Sequence, residues 1–371
     1  MDFTLTPAQN DLGGLSRQIL TDRVTQERLR EIEAGQTRFD GALWSELAKA
    51  GVLSAALPET VGGAGLGLLE QCSVLVEIGR TVAPVPYLPS IVLGASALAT
   101  FGSPDQQERW AGPAARGELI LAAALAEDDG EDAGIPATTA HWSDGGWQLT
   151  GAKTTVLAGA VADLLLVPAS TRGGTAVFLV APDDPGVTVR PQQVTGGDGT
   201  ALIELTRALV PDDRLLGGSA AGGEIIDWLV ARATVGLCAL QLGVTERALE
   251  LTAAYARSRE QFGKPIGSFQ AVSQRLADAY IDIEGIRLTL WQAAWRLAEG
   301  LPSDTEIATA KFWAAEAGHR VAHTAVHVHG GVGIDMDGDV HRYFVAAKHN
   351  EFALGGATAQ LRRIGAALAS S

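Results

Sequence analysis

The chain has 371 residues, of which 47% are hydrophobic and 19% charged, a composition that indicates a folded globular protein and excludes an intrinsically disordered one. Its 28 lysines and arginines against 43 acidic residues leave a net charge of −15, which argues against nucleic acid or an anionic membrane as the main partner. At this length we expect two or three domains.

The two cysteines, Cys72 and Cys238, lie far apart and show no metal-type spacing, which predicts a reduced, cytoplasmic compartment. The N-terminal segment lacks the basic start and long apolar stretch of a secretion signal. Apolar runs such as residues 162–167 are far shorter than a membrane span, so we expect no membrane insertion.

Residues 1–118 carry a helical pattern and predict an all-helical N-terminal domain. In residues 42–57, ALWSELAKAGVLSAAL, apolar side chains recur at three- and four-residue steps, as on one face of a helix. A glycine-rich break, PETVGGAGLG (58–67), separates this segment from a second periodic segment at residues 68–82.

Residues 119–217 have the pattern of short strands. β-Branched or apolar runs are interrupted by Gly, Asp, Pro and Ser, as in GWQLTGAKTTVLA (146–158) and TAVFLVAP (175–182). This pattern predicts a small antiparallel sheet or barrel as the middle domain.

Helical periodicity returns after GGSAAGGE (217–224) and lasts to the end of the chain. We predict that the long helices of residues 218–371 form a four-helix-bundle-like domain and pack against a second subunit. The expected fold class is therefore α+β, mostly α, with an N-terminal helical domain, a small middle β-barrel or sheet and a C-terminal bundle.

Two segments of the predicted bundle have the chemistry of a phosphate contact. Residues 258–270, SREQFGKPIGSFQ, bring an arginine, a lysine, two phenylalanines, two glutamines and two glycines together, and residues 327–333 read HVHGGVG. The planar fork of arginine matches diphosphate oxygens and stays charged at any cellular pH. Adjacent glycines allow backbone N–H groups to approach a phosphate without a Cβ in the way.

The three-part order, with PETVGGAGLG, R-E-Q-F-G (259–263), Phe269-Gln270 and HVHGGVG, resembles the acyl-CoA dehydrogenase family nearly end to end. The resemblance implies an FAD-dependent α,β-desaturation of an acyl-CoA thioester, in which a carboxylate removes the α-proton and the flavin takes the β-hydride. It also implies an FAD that straddles a dimer interface. The residues that it assigns to the FAD of a neighbouring subunit are Arg259 on the pyrophosphate, Gln261 and Phe262 beside the nucleotide, Gln270 near it, and His327, Gly330 and Gly331 at the diphosphate and adenosine end.

The flavin-binding loop departs from the family. Members carry a segment resembling T-E-P-x-A-G-S-D, whereas this chain reads AEDDGED (126–132), with Ala126 for the threonine and Asp132 for the serine. Four carboxylates beyond the shared Glu127 would lie near a dianionic diphosphate and are expected to repel FAD.

A second flavin contact is also replaced. The family stretch resembling K-x-W-I-T-N-G, whose tryptophan and threonine contact the flavin, here reads KTTVLAG (153–159). Thr155 stands for the tryptophan and Leu157 for the threonine. Drift within a working pocket remains an alternative explanation for such replacements.

The catalytic base is absent from both positions that the family uses. In VAAKHNEFALGGAT (345–358) the glutamate position holds Leu354, Gly355 or Gly356, and Val345-Ala346 replaces the family's R-D pair. The alternative position, on the helix before R-E-Q-F-G, holds Ala233 between Arg232 and Thr234. None of the residues at these two positions is a proton acceptor, so we predict no catalytic residue on this chain.

Three histidines, His319, His323 and His327, are spaced to share one helix face. No acidic or cysteine ligand joins them in an evident motif, so we predict no metal site; His327 is expected beside the cofactor and the others at a surface or interface. Trp291, Trp295 and Trp313 are expected in the bundle core.

These features together predict a non-catalytic subunit of a heteromeric acyl-CoA dehydrogenase. Its partner would be a homologous chain with an intact flavin pocket and a glutamate base, in an α2β2 tetramer with one FAD per heterodimer. Such assemblies resemble actinobacterial enzymes that desaturate steroid side-chain CoA thioesters, and an electron-transfer flavoprotein is the expected acceptor. Two alternatives stay open: a complete homomeric enzyme that uses Glu351 as its base, and a flavin-free protein that binds acyl-CoA or a partner.

Overall fold

The computed structural model of the protein describes residues 6–35, 37–128, 132–143, 145–196 and 199–370. These residues divide into two compact units. The bundle unit comprises the described residues up to Gln26, Leu69–Ala83 and the chain from Thr234 onward, and the sheet unit comprises Glu27–Leu68 and Pro84–Ala233. The division into three domains at 118/119 and 217/218 stays a prediction. The helices and strands themselves lie in the parts of the chain where they were expected.

Helices make up the N-terminal part. They are α1 (Pro7–Arg23), α2 (Gln26–Glu33), α3 (Gly41–Lys49), α4 (Leu68–Thr81), a π-helix (Tyr87–Ala95), α5 (Ser96–Phe101), α6 (Pro104–Gln106), a π-helical turn (Gln107–Ala111) and α7 (Gly112–Ala115), with a 3₁₀ turn at Glu59–Val61. The predicted continuous periodicity over 42–57 is wrong after Lys49. Ala50 closes α3 and Gly51 follows at a φ of 76°, a left-handed conformation that glycine adopts at little cost and that ends the helix.

The middle part forms one sheet inside the sheet unit. Its strands are β1 (Leu121–Ala123), β2 (Thr139–Ser143), β3 (Gly146–Val156), β4 (Leu164–Thr171), β5 (Gly174–Val180), β6 (Val187–Pro191), β7 (Ala201–Pro211) and β8 (Leu215–Leu216). They lie in the order β6-β7-β3-β2-β4-β5-β8, with β1 paired to β4. The expected all-antiparallel sheet is corrected to a mixed one, because β1 and β2 both run parallel to β4.

Five helices follow: α8 (Gly222–Ser258), α9 (Gln270–Ala298), α10 (Asp304–His329), α11 (Val340–Phe352) and α12 (Ala357–Ser370). The predicted fold class is confirmed. In the bundle unit, α4 and α8 cross closely at Gly79 and Gly243, where a Cβ on either residue would collide with the backbone of the other helix. By length and hydropathy α8 could cross a membrane, but 67% of its apolar window is buried inside the protein, as expected of a core helix.

The bundle helices differ in how far they are covered. The three tryptophans expected in the core, Trp291, Trp295 and Trp313, are only partly buried. Over residues 270–281 at the start of α9, the one buried side chain is Ala279, and both Tyr280 and Ile281 are largely exposed. An exposed helical segment with large apolar side chains is typical of a surface that another protein covers.

Candidate functional site

The R-E-Q-F-G segment folds as a tight hairpin directly after α8. Strand β9 (Glu260–Gln261) pairs antiparallel with β10 (Lys264–Pro265), and the two residues between the strands have φ values of 55° at Phe262 and 77° at Gly263. Two consecutive positive φ values define a type I′ turn, whose twist matches that of the paired strands. The turn presents the side chain of Phe262 at the tip of the hairpin, where it is 93% exposed.

Positive and aromatic side chains cluster on this hairpin. The ring of Phe262 meets that of Phe269 edge-on at 6.1 Å between centroids, and the ammonium group of Lys264 lies 4.4 Å from the centroid of the Phe269 ring. Phe269 immediately precedes Gln270, the first residue of α9. The Arg259 side chain is exposed and forms no ion pair with another described residue. Lys264, to which the sequence reasoning gave no individual role, adds a second positive charge here.

The HVHGGVG segment forms the end of α10 and a 3₁₀ turn over Gly330–Ile334. Gly330 has φ 65° and ψ −143°, close to a region of conformational space that is essentially restricted to glycine. A Cβ at Gly330 or Gly331 would meet no other atom within 4 Å, so the backbone is open on that side. His327, on the last turn of α10, is exposed.

The two segments meet at one end of the bundle unit. The ring of His329 stacks on that of Tyr255, with centroids 4.3 Å apart and planes inclined by 22°. Tyr255 lies in the last turn of α8, and its carbonyl accepts a hydrogen bond from the backbone N–H of Arg259 at 2.8 Å. The structure therefore connects the hairpin with the end of α10 and the turn that follows it. Arg259, Gln261 and Phe262 lie on the hairpin and Gln270 begins α9, whereas His327 lies on the last turn of α10 and Gly330 and Gly331 lie in the 3₁₀ turn.

These residues fit one half of a dinucleotide site. Arg259 and Lys264 supply uncompensated positive charge for a diphosphate, the open backbone at Gly330 and Gly331 allows close approach, and the exposed Phe262 ring offers an aromatic surface. The fit concerns only the part of FAD that the resemblance assigns to a neighbouring subunit.

The acidic loop of the sheet unit uses its shared glutamate structurally. Glu127 accepts hydrogen bonds from the ammonium group of Lys153 and the hydroxyl of Thr138, both at 2.6 Å, and the side chains of Glu127 and Lys153 are 7% and 0% exposed. Burial raises the pKa of Glu127, but these hydrogen bonds outweigh it and leave the pKa below its usual value; burial lowers the pKa of Lys153. Of the other acidic residues predicted to repel FAD, Asp128 and Asp132 are exposed, whereas Asp129 and Glu131 lie outside the described residues.

The backbone at the position of the family's tryptophan is already hydrogen-bonded within the chain. The N–H of Thr155 donates to the side-chain oxygen of Gln192 at 2.8 Å, and the amide nitrogen of Gln192 donates to the Thr154 hydroxyl at 3.2 Å. Thr155 has a φ of 48°, an unusual conformation for a β-branched residue, at an irregularity in the pairing of β3 with β7. With a threonine and a leucine in place of the family's two flavin contacts, residues 153–159 do not fit a flavin ring.

The positions at which the resemblance predicts a base hold residues that cannot accept a proton. Ala233 is buried, and Leu354 and Gly355 form a turn with φ values of 56° and 89°. The side-chain amide of Gln360 donates to both carbonyls of this turn, at 3.1 and 3.0 Å.

Glu351, the alternative base, belongs to a cluster of charged groups on the bundle unit. Its carboxylate accepts a hydrogen bond from Lys348 at 2.6 Å and lies 3.1 Å from Nδ1 of His319, and its side chain is 14% exposed. The carboxylate is therefore held by two neighbouring side chains of its own chain.

The rings of His319 and His323 lie 4.3 Å apart, as their shared helix face predicts. Among the described residues, no group of three or more His, Cys, Asp or Glu side chains could hold a metal ion.

A buried lysine escaped the sequence reasoning. Lys311 on α10 is fully buried, and its ammonium group donates to the carbonyls of Asn350 at 2.9 Å and Glu351 at 3.0 Å, in the last turn of α11. Burial lowers its pKa to about 8. The sequence feature that could have indicated its burial is the position of a single lysine inside the mainly apolar run IATAKFWAA (307–315).

Comparison with known proteins finds matches along nearly the whole chain. Models of the acyl-CoA dehydrogenase N-terminal, middle and C-terminal domains match residues 6–118, 122–208 and 221–369. Acyl-CoA dehydrogenase FadE27 from Mycobacterium tuberculosis is 54% identical over 379 residues, with 100% of each protein covered. Among solved structures, a chain of the ChsE4-ChsE5 complex from Mycobacterium tuberculosis is similar with a TM-score of 0.95, 54% identity and 100% of each chain covered. A variant of the Tcur3481-Tcur3483 steroid ACAD is similar with a TM-score of 0.91, 42% identity and 98% of each chain covered.

Proposed function

The chain belongs to the acyl-CoA dehydrogenase family, and from that premise we propose that it is the non-catalytic subunit of a heteromeric member. Its partner is a homologous chain that holds the flavin ring and carries the glutamate base. The two chains form an α2β2 assembly with one FAD per heterodimer, and this subunit contributes to an FAD whose reactive ring lies in the partner.

The observation that carries this proposal is the unequal state of the two halves of a cofactor site on one chain. The half that would serve a neighbour is available, because Arg259 has no ion-pair partner among the described residues and the backbone at Gly330 and Gly331 is open. The half that would serve the chain itself is degraded, because the N–H of Thr155 is bonded to Gln192 and the expected base position holds Leu354, Gly355 or Gly356. Neutral sequence drift in a working enzyme would not keep the cofactor contacts lent to a neighbour while it replaces those of the chain's own flavin pocket.

When bound, FAD supplies the hydride acceptor for α,β-desaturation of the acyl-CoA thioester. This chain's share of the work is binding and orientation. Its residues that would hold the cofactor are Arg259 and Lys264 at the diphosphate, Gln261, Phe262 and Gln270 beside the nucleotide, and His327, Gly330 and Gly331 at the diphosphate and adenosine end.

The substrate of the assembly, we propose, is a steroid side-chain CoA thioester. Support comes from the similarity to a chain of the Tcur3481-Tcur3483 steroid ACAD, and from a physical argument about room. A subunit whose own flavin site is not used leaves pocket volume for a bulky ring system. We place the enzyme in the cytoplasm with an electron-transfer flavoprotein as its acceptor, in keeping with the family.

A flavin count per chain tests the proposal. The chain purified alone is expected to show no flavin absorbance and no desaturase activity, whereas the complex with its partner carries one FAD per heterodimer. Stoichiometric flavin in the homomer would support instead the complete enzyme with Glu351 as base. A complex without any flavin would support the flavin-free binding protein.

A further inference from the structure

The aromatic stack between Tyr255 and His329 joins two segments that are far apart in the chain. With centroids 4.3 Å apart and planes inclined by only 22°, the two rings lie nearly parallel. His329 is 8% exposed, and its Nδ1 lies 2.8 Å from the carbonyl oxygen of Ala325, one turn earlier on α10. Because a carbonyl only accepts, Nδ1 carries the hydrogen, and this bond holds the ring in one orientation.

On the hairpin side, the stack lies against the residue that anchors Arg259. The backbone N–H of Arg259 donates to the carbonyl of Tyr255 at 2.8 Å. The backbone carbonyl of Arg259 accepts from the N–H of Ile266 at 2.8 Å, and this bond closes the base of the hairpin. The direction in which the Arg259 side chain leaves the protein therefore depends on the position of Tyr255.

On the turn side, the glycine segment folds back around His329. Gly330 follows it in a conformation close to the region restricted to glycine, and the chain reverses there. Gly333 then returns so close to α10 that a Cβ would lie 2.9 Å from the Cα of Val326 and 3.1 Å from the Cβ of His329. His329 is thus packed between Tyr255 and the turn that it precedes.

We infer that His329 is a positioning residue, which through its stack on Tyr255 holds the Arg259 hairpin and the Gly330–Ile334 turn in one fixed relation. The coupling of the hairpin to the turn is supported by the contacts described above. The role of His329 toward FAD rests on the proposed function. A surface of two segments that is already ordered before the cofactor arrives loses less conformational entropy on binding.

Amide hydrogen exchange on the full-length chain without cofactor tests the coupling directly. His329→Ala is expected to speed exchange about tenfold in the turn and also in the hairpin amides of residues 259–266, which is the scale of a lost aromatic pair. His329→Phe, which keeps the ring, restores protection in both segments. The matched control is His323→Ala, which removes a ring from the same helix two turns earlier.

Unchanged exchange in the hairpin of His329→Ala, or an equal increase in the His323→Ala control, would overturn the inference. Should His329→Ala fail to fold, Tyr255→Leu probes the same contact from the other side. It is then the turn at residues 330–334 whose exchange should rise about tenfold, and an unaffected turn refutes the coupling.

Flavin retention by the complex separates this inference from the proposed function. We expect His329→Ala to weaken FAD retention about tenfold and Arg259→Ala to weaken it at least as much. The double variant should lose less than the sum of the two single losses, because His329 acts in part through Arg259; a merely structural role would make the losses additive. Full flavin in Arg259→Ala refutes the proposed function and leaves the exchange result standing. Loss in Arg259→Ala with none in His329→Ala refutes the role of His329 toward the cofactor.

Discussion

The ammonium group of Lys311 donates a hydrogen bond to the backbone carbonyl of Glu351 at 3.0 Å from a fully buried side chain. The same ammonium group also donates to the Asn350 carbonyl, so two backbone carbonyls in the last turn of α11 have a hydrogen-bond partner. The turn that contains Leu354 follows directly. A cation at a helix C-terminus is favourable, but burial makes its charged form costly. The end of α11, next to the turn of Leu354 and Gly355, is thus held by a buried cation.

The pKa of Lys311 predicts an unusual pH dependence of stability. Its folded pKa of about 8 lies below the ordinary value of 10.5, so between these pH values the unfolded chain binds more protons and this group makes stability rise with pH. Below about pH 8 lysine is protonated in both states and its contribution is constant. Relative to Lys311→Met, the wild-type free energy of unfolding should therefore gain on the order of 3 kcal/mol from about pH 8 to about pH 10.5. Denaturant titrations across this range check it, and profiles of equal slope would contradict it.

Replacement of Arg259 should remove the cofactor from the complex without touching the flavin-holding partner. An arginine on a diphosphate makes charge-assisted hydrogen bonds of about 1.5–3 kcal/mol, so Arg259→Ala is expected to weaken FAD binding by about ten- to a hundredfold. Flavin absorbance after dialysis measures the loss. Arg257→Ala is the matched control, because Arg257 is another exposed arginine, two residues earlier at the end of α8. Similar flavin loss in both variants would point to general surface charge instead of a specific contact.

Glu351→Gln should leave desaturation by the complex within about twofold of wild type, because the carboxylate is held by Lys348 and His319 and serves the local structure. Removal of a general base, in contrast, lowers the rate by about 10²- to 10⁴-fold. Steady-state turnover of the wild-type and variant complexes distinguishes these outcomes. A loss in the second range, with the flavin content unchanged, would restore Glu351 as the base.

The pair of Glu127 and Lys153 should be a stability element of the sheet unit. Glu127→Gln leaves the fully buried ammonium of Lys153 without its counter-charge, which costs about 3–5 kcal/mol in comparable pairs. Asp128→Asn, an exposed neighbour, is the control and should change the unfolding free energy by less than about 0.5 kcal/mol. Because the pKa of Glu127 is lowered on folding, its contribution is present above the ordinary value of 4.5 and is lost as pH falls through the folded pKa. Equal midpoints for the two variants in urea would contradict this role.

The sequence by itself determined where the long helices and most strands lie, and which residue types stand at the candidate site. Periodicity located the long helices and most strands, because burial of one face leaves a repeating pattern in the chain. Family resemblance and residue chemistry predicted Arg259 and the glycine turn as cofactor contacts, and predicted no base at Leu354, Gly355 or Gly356. These are properties of residue type at a position and need no knowledge of packing.

Only the tertiary structure decided which of these residues act together. It stacks Tyr255 on His329, assigns the carboxylate of Glu351 to Lys348 and His319, and gives the N–H of Thr155 to Gln192. It also made β1 and β2 parallel to β4, where the strand pattern predicted an antiparallel sheet. Apart from the local pair of Lys348 and Glu351 on α11, each of these contacts joins residues from distant parts of the chain. Neither hydrophobic periodicity nor motif spacing carries information about which distant partner a side chain or strand will meet.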